Sequence, residues 1–442
     1  MPRTIDVKHL SRVEGHGRIL VEIDDRNRLE RAQFSLVEGP RFFEALARGR
    51  DFRDIPMMVS RICAICSVGH KLTSVLALED ALGLTVSRQT QLLRDLLFQG
   101  MSIESHVLHT YFLALPDFLG AGSAIELVPR LPNEVKLGLA MKKLGNTIQE
   151  LVGGRAIHPV NAIIGGFGRV PTRDELLTVR KRLVELLPGA EKTVEIFGGL
   201  TYPDDTVPAD GARPTSFVAL APDGDQFSFF GRRIATSAAP ETVLPVEEYK
   251  AIADERVVPH SSAKHSLPGG EPYFTGALAR VNLFFNKLTP RAKAAALATG
   301  VRFPSANSLH NNLCQAIENL YSFERAIEVI DLLLEDGGPR PEAPADVEAK
   351  VRAGRGVAAT EVPRGTLYHE YELDDAGQVV YANIITPTAQ NQANVEKDFG
   401  SYLHRHPEAD DATIAFNLEM IARAYDPCIS CAAHYVEVKR RS

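Results

Sequence analysis

The period of the apolar positions changes several times along the chain. Residues 18–37 alternate apolar and polar around a polar turn at 24–28, which predicts a β-hairpin. From 59 to 115 the period is helical. Leu92, Leu93, Leu96 and Leu97 continue through Met101, Val107, Leu108 and Tyr111 as one wide apolar stripe. Thr172 and Glu175 precede LLTVRKRLVELL as a capping box that opens another helix. Residues 216–235 have strand character, with a turn at Pro222-Asp223-Gly224. A strong helix over 308–334 carries Leu309, Leu313, Ile317, Leu320, Ile327 and Ile330 on one face. The segment EDGGPRPEAPADVE (335–348) reads as a surface loop or linker. A second hairpin is expected over 366–385 around 374–377, and 409–424 reads as helix again.

These elements predict an α+β fold, mostly α-helical: a central long-helix bundle with small antiparallel β pieces. Four segments are expected. They are an N-terminal hairpin region (1–58), a helical bundle (59–200), a mixed α/β insertion (201–300), and a final helix, hairpin and C-terminal segment (301–442).

A length of 442 residues exceeds one ordinary compact core, which agrees with several packed segments. Hydrophobic residues at 45% and charged residues at 24% exclude a disordered or collagen-like chain. The net charge of −7, with no basic block, argues against nucleic acid as a partner. No apolar run reaches about 18 residues, so no membrane span is expected. The opening MPRTIDVKHLSRVEGHG has no apolar core and reads as neither a Sec nor a twin-arginine signal, so a cytoplasmic location is expected. There is no P-loop, and the glycines of GGFGRV (165–170) stand at the wrong offsets for a dinucleotide fingerprint. Any nucleotide is expected on another chain.

The cysteines carry the chemistry. Five are too few for a disulfide framework, and the number is odd. Four fall into two C-x-x-C pairs: Cys63 and Cys66 in RICAICSVGH (61–70), Cys428 and Cys431 in DPCISCAAH (426–434). Each pair alone has a plain reading, as a thioredoxin-like redox pair or as half of a structural zinc site. Zinc ribbons hold their pairs within tens of residues, whereas these pairs stand 365 positions apart. Four thiolates select zinc, nickel, copper or iron. Cys314 stands alone in an apolar helical pattern and reads as a small core residue.

R-x-C-x-x-C near one end with D-P-C-x-x-C-x-x-H near the other resembles the large, catalytic subunit of nickel–iron hydrogenases. SRVEGHGR (11–18), RFFE (41–44), GGRAIHP (153–159), VPRGTLYH (362–369) and TPTAQN (386–391) resemble further blocks of that family, in its order. The resemblance implies a nickel–iron centre whose iron carries carbon monoxide and cyanide. Cys63 and Cys428 would be terminal nickel ligands, with Cys66 and Cys431 bridging nickel and iron. It implies heterolytic cleavage of dihydrogen, with Cys428 as first base and Glu14 as next proton acceptor. A carboxylate suits that relay because it both accepts and releases protons. Arg364 would lie over the site and hydrogen-bond a cyanide, and a guanidinium keeps its charge there. Thr388, after Pro387, would donate to the other cyanide, and His70 to a bridging sulfur.

Glu44, a backbone carbonyl around Ile384, and His434 resemble the ligands of the family's magnesium site. One carboxylate, one carbonyl and one imidazole suit magnesium only as a partly hydrated site; zinc or iron are the other candidates. Two departures stand out. Ser105 aligns where many membrane-linked members have Asp, which predicts a thinner hydrogen-bond network around Arg364. Residues YVEVKRRS (435–442) follow His434, where family large subunits are commonly cut by a maturation protease once nickel-insertion proteins have acted. A retained tail is expected to leave the second cysteine pair less firmly docked.

The soluble cytoplasmic group of the family is the nearest in form. The resemblance implies two kinds of partner: an iron–sulfur small subunit, and diaphorase subunits using flavin with NAD(P) or factor 420. No iron–sulfur cluster is expected in this chain, because four of its five cysteines are committed. Two other readings are a paralogue of the related complex I subunit, which lacks the nickel cysteines, and a scaffold whose four cysteines hold a structural zinc.

Overall fold

A computed structural model describes residues 2–26, 28–39, 41–207, 215–238 and 243–433. The predicted N-terminal hairpin is present as β2 (Gly17–Ile23) and β3 (Leu29–Leu36). A strand not foreseen from the sequence, β1 (Arg3–Val7), pairs antiparallel with β2, placing Arg3 opposite Ile23. Along β2 every second side chain is buried, as a one-sided sheet requires.

The long helical stripe is broken. Helix α1 (Ser67–Leu82) starts at Cys66 and stops at Gly83, whose φ of 62° is the left-handed conformation that favours glycine. Helix α2 (Arg88–Val107) restarts on Ser87, whose hydroxyl accepts from the Thr90 amide. A π-helical segment, Leu108–Ala114, continues it. Helices α3 (Pro132–Gly153) and α4 (Arg173–Gly198) follow, and α4 opens on the predicted Thr172/Glu175 capping box. With α5 (Asn311–Leu334) these form the central bundle. At the α2–α3 crossing a Cβ on Gly145 would lie 2.7 Å from the Gly100 carbonyl oxygen, so only glycine permits that approach.

Within 201–300, Ser216–Ala221 and Arg233–Thr236 pair antiparallel around the predicted turn. The 335–348 segment is a surface loop pinned where the Ala345 amide donates to the Gly165 carbonyl. Next comes a meander of β4 (Gly354–Val362), β5 (Gly365–Leu373) and β6 (Val379–Ile385). Its last two strands are the predicted second hairpin. The meander packs on α1, where a Cβ on Gly356 would meet the Ala77 carbonyl oxygen at 2.0 Å. Helices α6 (Pro387–Arg405) and α7 (Asp411–Ala424) lead to the second cysteine pair.

Two large apolar clusters hold these parts together. The first joins the bundle to the meander and includes all four paired cysteines. The second joins the N-terminal sheet to α6, α7 and Ile429, so the two ends of the chain share one core. Cys314 is fully buried in it, as a core residue. The architecture is helix-rich with small, mostly antiparallel sheets, as expected. No helix among the described residues is long and apolar enough to cross a membrane.

Candidate metal centre

Cys63, Cys66, Cys428 and Cys431 come together although 365 positions separate the pairs. Cys63 Sγ lies 3.2 Å from Cys428 Sγ, and Cys428 Sγ 3.0 Å from Cys431 Sγ. All four sulfurs lie within 4.8 Å of one another, and all four residues are buried and free of disulfides. Thiolates bound to one borderline metal at about 2.3 Å would span at most about 4.6 Å. The cluster therefore fits a thiolate-held metal centre.

Local structure sets the sulfurs. Cys66 is the N-terminal flanking residue of α1, where the helix dipole favours a thiolate. Its pKa is driven well below the ordinary thiol value, first by hydrogen bonds from Cys428, Cys431 and Cys63, then by the charge of Arg364. Burial pushes the Cys428 and Cys431 thiols up. Their protons must leave when a metal binds.

Arg364 reaches the cluster from the β4–β5 corner. Its Nη1 donates to Cys66 Sγ at 3.2 Å and to Ser105 Oγ at 3.3 Å. Its Nη2 pairs with Asp426 Oδ1 at 2.8 Å and its Nε donates to the Asp426 carbonyl at 2.7 Å. Ser105 is present as a weak partner, but Asp426, beside the second cysteine pair, supplies the carboxylate. Asp426 stands inside the D-P-C motif, which by itself assigns it no role; its φ of 52° marks a constrained position.

A second set, illegible in the sequence, holds the corner itself. Buried Arg280 donates to the carbonyls of Val362 (3.1 Å) and Pro363 (3.0 Å), the two residues before Arg364. Glu318 and Glu361, both fully buried, grip Arg280 at 2.6 and 2.8 Å. Glu361 also accepts from the Leu220 amide and the Thr366 hydroxyl, which satisfies its remaining oxygen.

Glu14 lies on the other side. The Ile429 amide donates to the Glu14 carbonyl, and Glu14 Oε2 lies 3.3 Å from Cys428 Sγ and 3.0 Å from the Ser430 amide. Gly15, with φ of 89°, lets this strand touch Ile429, whose Cβ would stand 2.6 Å from an added Cβ. The Ser430 hydroxyl donates to Glu38 Oε2 at 3.2 Å, and Glu38 Oε1 pairs with the exposed His16 ring at 3.1 Å. Polar groups thus run from the buried thiol to the surface. Nothing in the sequence singles out Glu38 or His16, although His16 sits in the same block as Glu14.

His70 Nε2 is 3.6 Å from Cys431 Sγ. Its Nδ1 is 3.2 Å from His369, which in turn contacts the Tyr371 hydroxyl. Pro387 opens α6, and the next residue, Thr388, accepts the Cys428 amide at 3.0 Å, leaving its hydroxyl proton free to donate elsewhere. Glu44 Oε1 accepts the Ile384 amide at 2.7 Å, which brings two of the three expected magnesium ligands together. His434 lies outside the described residues. Cys428 and Cys431 are buried and in contact with each other, and the tail on which the expected loosening rests (435–442) lies outside the described residues. Arg41 fixes that segment, its amide donating to the Ala433 carbonyl and its guanidinium to Ser430 Oγ.

A family profile described as "Nickel-dependent hydrogenase" matches residues 41–137 and 269–434. The chain is 38% identical over 438 residues to the alpha subunit of sulfhydrogenase 1 of Pyrococcus furiosus, covering 99% of both. It is 27% identical to the beta subunit of the NAD-reducing hydrogenase HoxS of Cupriavidus necator, covering 98% of this chain and 95% of that one. Among solved structures, an NAD+-reducing [NiFe]-hydrogenase in its H2-reduced state superposes with a TM-score of 0.84 at 27% identity, covering 98% and 99% of the two chains. Four clustered thiols at the meeting of both chain ends and matches along nearly the whole length lead to one assignment: the chain belongs to the nickel-dependent hydrogenase family, as a nickel–iron hydrogenase large subunit.

Proposed function

We propose that this chain cleaves dihydrogen reversibly at a nickel–iron centre held by Cys63, Cys66, Cys428 and Cys431, and passes the electrons to an iron–sulfur small subunit. The observation that carries the reading is the buried four-sulfur cluster with a carboxylate on one side and a guanidinium on the other. When bound, the centre supplies the metals that take up dihydrogen and accept its electrons. Cys63 and Cys428 would hold nickel through their thiolates, and Cys66 and Cys431 would hold nickel and iron. Cys428 takes the first proton, and Glu14 receives it across 3.3 Å. From there Ser430, Glu38 and His16 offer polar groups toward solvent.

Arg364 and Thr388 would donate hydrogen bonds to cyanide on the iron, and His70 would tune Cys431. Glu44, the Ile384 carbonyl and His434 would hold magnesium, with waters in its remaining positions. The maturation protease cuts after His434. The whole assembly is cytoplasmic, with a diaphorase partner that uses NAD(P) or factor 420; NAD(P) is favoured because the superposing structure is named as NAD+-reducing. A closed zinc site would leave Glu14 and Arg364 without a task, and a complex I-like paralogue would lack the cysteines that cluster here.

Purification with the natural partners tests the reading. Nickel together with iron, infrared bands of metal-bound carbonyl and cyanide, and hydrogen-dependent NAD(P) reduction are expected. Zinc alone, from cells supplied with nickel and maturation factors, would overturn the reading. Reduction of factor 420 in place of NAD(P) would replace the acceptor only. Within that enzyme, Arg364→Lys should retain nickel and lower turnover by about 10²–10³-fold. A single ammonium cannot reproduce the planar fork that spans Asp426, Ser105 and Cys66. Unchanged turnover would remove Arg364 from the reaction.

A further inference from the structure

A second cluster of metal-binding side chains lies apart from the four sulfurs. His260, in the loop after the short strand Glu255–Arg256, His265, which opens the strand His265–Ser266, and Glu396 on α6 place their ligand atoms within 4.8 Å of one another. The His260 Nε2 to Glu396 Oε1 distance is 2.8 Å. That pair alone would be an ordinary polar contact. It does not account for His265. The His265 ring is 4% exposed, and its Nε2 has no hydrogen-bond partner among the described residues. A buried, unpaired ring nitrogen on a residue packed beside a histidine–glutamate pair is costly to keep unless something pairs with it. The two rings stand edge to face, with centroids 5.5 Å apart.

We propose that His260, His265 and Glu396 bind one zinc ion, which pins the 257–264 loop and the His265 strand to α6. Two imidazoles and one carboxylate are a zinc donor set that leaves a fourth position for water. The His260 and Glu396 side chains are 16% and 19% exposed, so the ion has a way in and the water a place to stand. Glu396 is already oriented for the task. Its Oε1 accepts the Phe34 amide of β3 at 2.9 Å, the outer hydrogen bond that ligating carboxylates require. The metal takes Oε2, and Oε1 stays on Phe34. His260 turns its Nε2 lone pair to the ion and carries its proton on Nδ1. Three parts of the chain, β3, the insertion and α6, then meet at one ion.

The test uses the hydrogenase complex, nickel-loaded, washed with a chelator and titrated with zinc. Zinc per large subunit is read by mass spectrometry for the wild type, Glu396→Gln and His265→Asn. The wild type should bind one zinc more than either variant, with nickel content and hydrogen oxidation the same in all three. Zinc should raise the wild-type Tm and leave that of the variants unmoved. The zinc absorption edge should show two imidazole ligands. Glu396→Gln keeps an acceptor for the Phe34 amide, so it folds even where His265→Asn fails. Equal zinc in wild type and Glu396→Gln overturns the site, as does a wild type that takes up no zinc.

Discussion

Cys428→Ser should yield a chain with no measurable hydrogen activity and no retained nickel. Cys428 is the hub of the sulfur cluster, within 3.2 Å of Cys63 and 3.0 Å of Cys431. A serine hydroxyl is a harder donor with a much higher pKa, so at neutral pH it offers the metal neither charge nor a polarizable lone pair. The same substitution removes the atom that faces Glu14, so the proposed ligand and the proposed first base disappear together. The loss is of site, not of fold. The amide at 428 still donates to Thr388, and the flanking Ile429 and Ser430 amides still donate to Glu14. Elemental analysis beside a hydrogen-uptake assay reads both consequences. A variant that kept nickel and turned over would end the ligand assignment.

Glu14→Gln should separate cleavage from proton exit. Nickel and iron should stay at wild-type levels, because no metal contact changes. The amide has the same shape and still accepts from the Ser430 amide. It cannot take up a proton and pass it on, so exchange of deuterium gas with water should fall by about 10²–10⁴-fold. Conversion between para- and ortho-hydrogen requires cleavage and recombination but no exit, and should persist. Mass spectrometry reads the first and Raman spectroscopy the second. Normal exchange in this variant would take Glu14 off the path, and loss of both signals would make it a structural residue only.

What the sequence discloses follows from how each feature is encoded. Cys63, Cys66, Cys428 and Cys431 are legible because a soft-metal donor set needs a rare residue at a fixed spacing. The capping box at Thr172 and the β5–β6 hairpin are legible because caps and turns are local chemistry. Strand β4, GRGVAATEV, escapes sequence reading because two glycines and two alanines weaken a strand pattern. Those glycines exist for close approach to α1, a tertiary demand with no local sign. The break at 83–87 is hidden because apolar residues run through it. Arg280, Glu318 and Glu361 are invisible for a related reason. They come from three distant segments, and each alone reads as an ordinary charge on a helix or strand. Asp426 is within reach of the sequence, since it directly precedes the proline of the second cysteine motif.

The contact between Cys63 and Cys428 also sets a clock on synthesis. Residues 428–431 leave the ribosome 365 positions after Cys63, which at about 5–20 residues per second is roughly 20–70 s. For that interval Cys63 and Cys66 form an open dithiol, and the cluster that buries them does not yet exist. Any ion or oxidant that meets the nascent chain first has the advantage. Timing therefore bears on correct loading as much as affinity does, because the four-sulfur site is complete only when the last segment arrives.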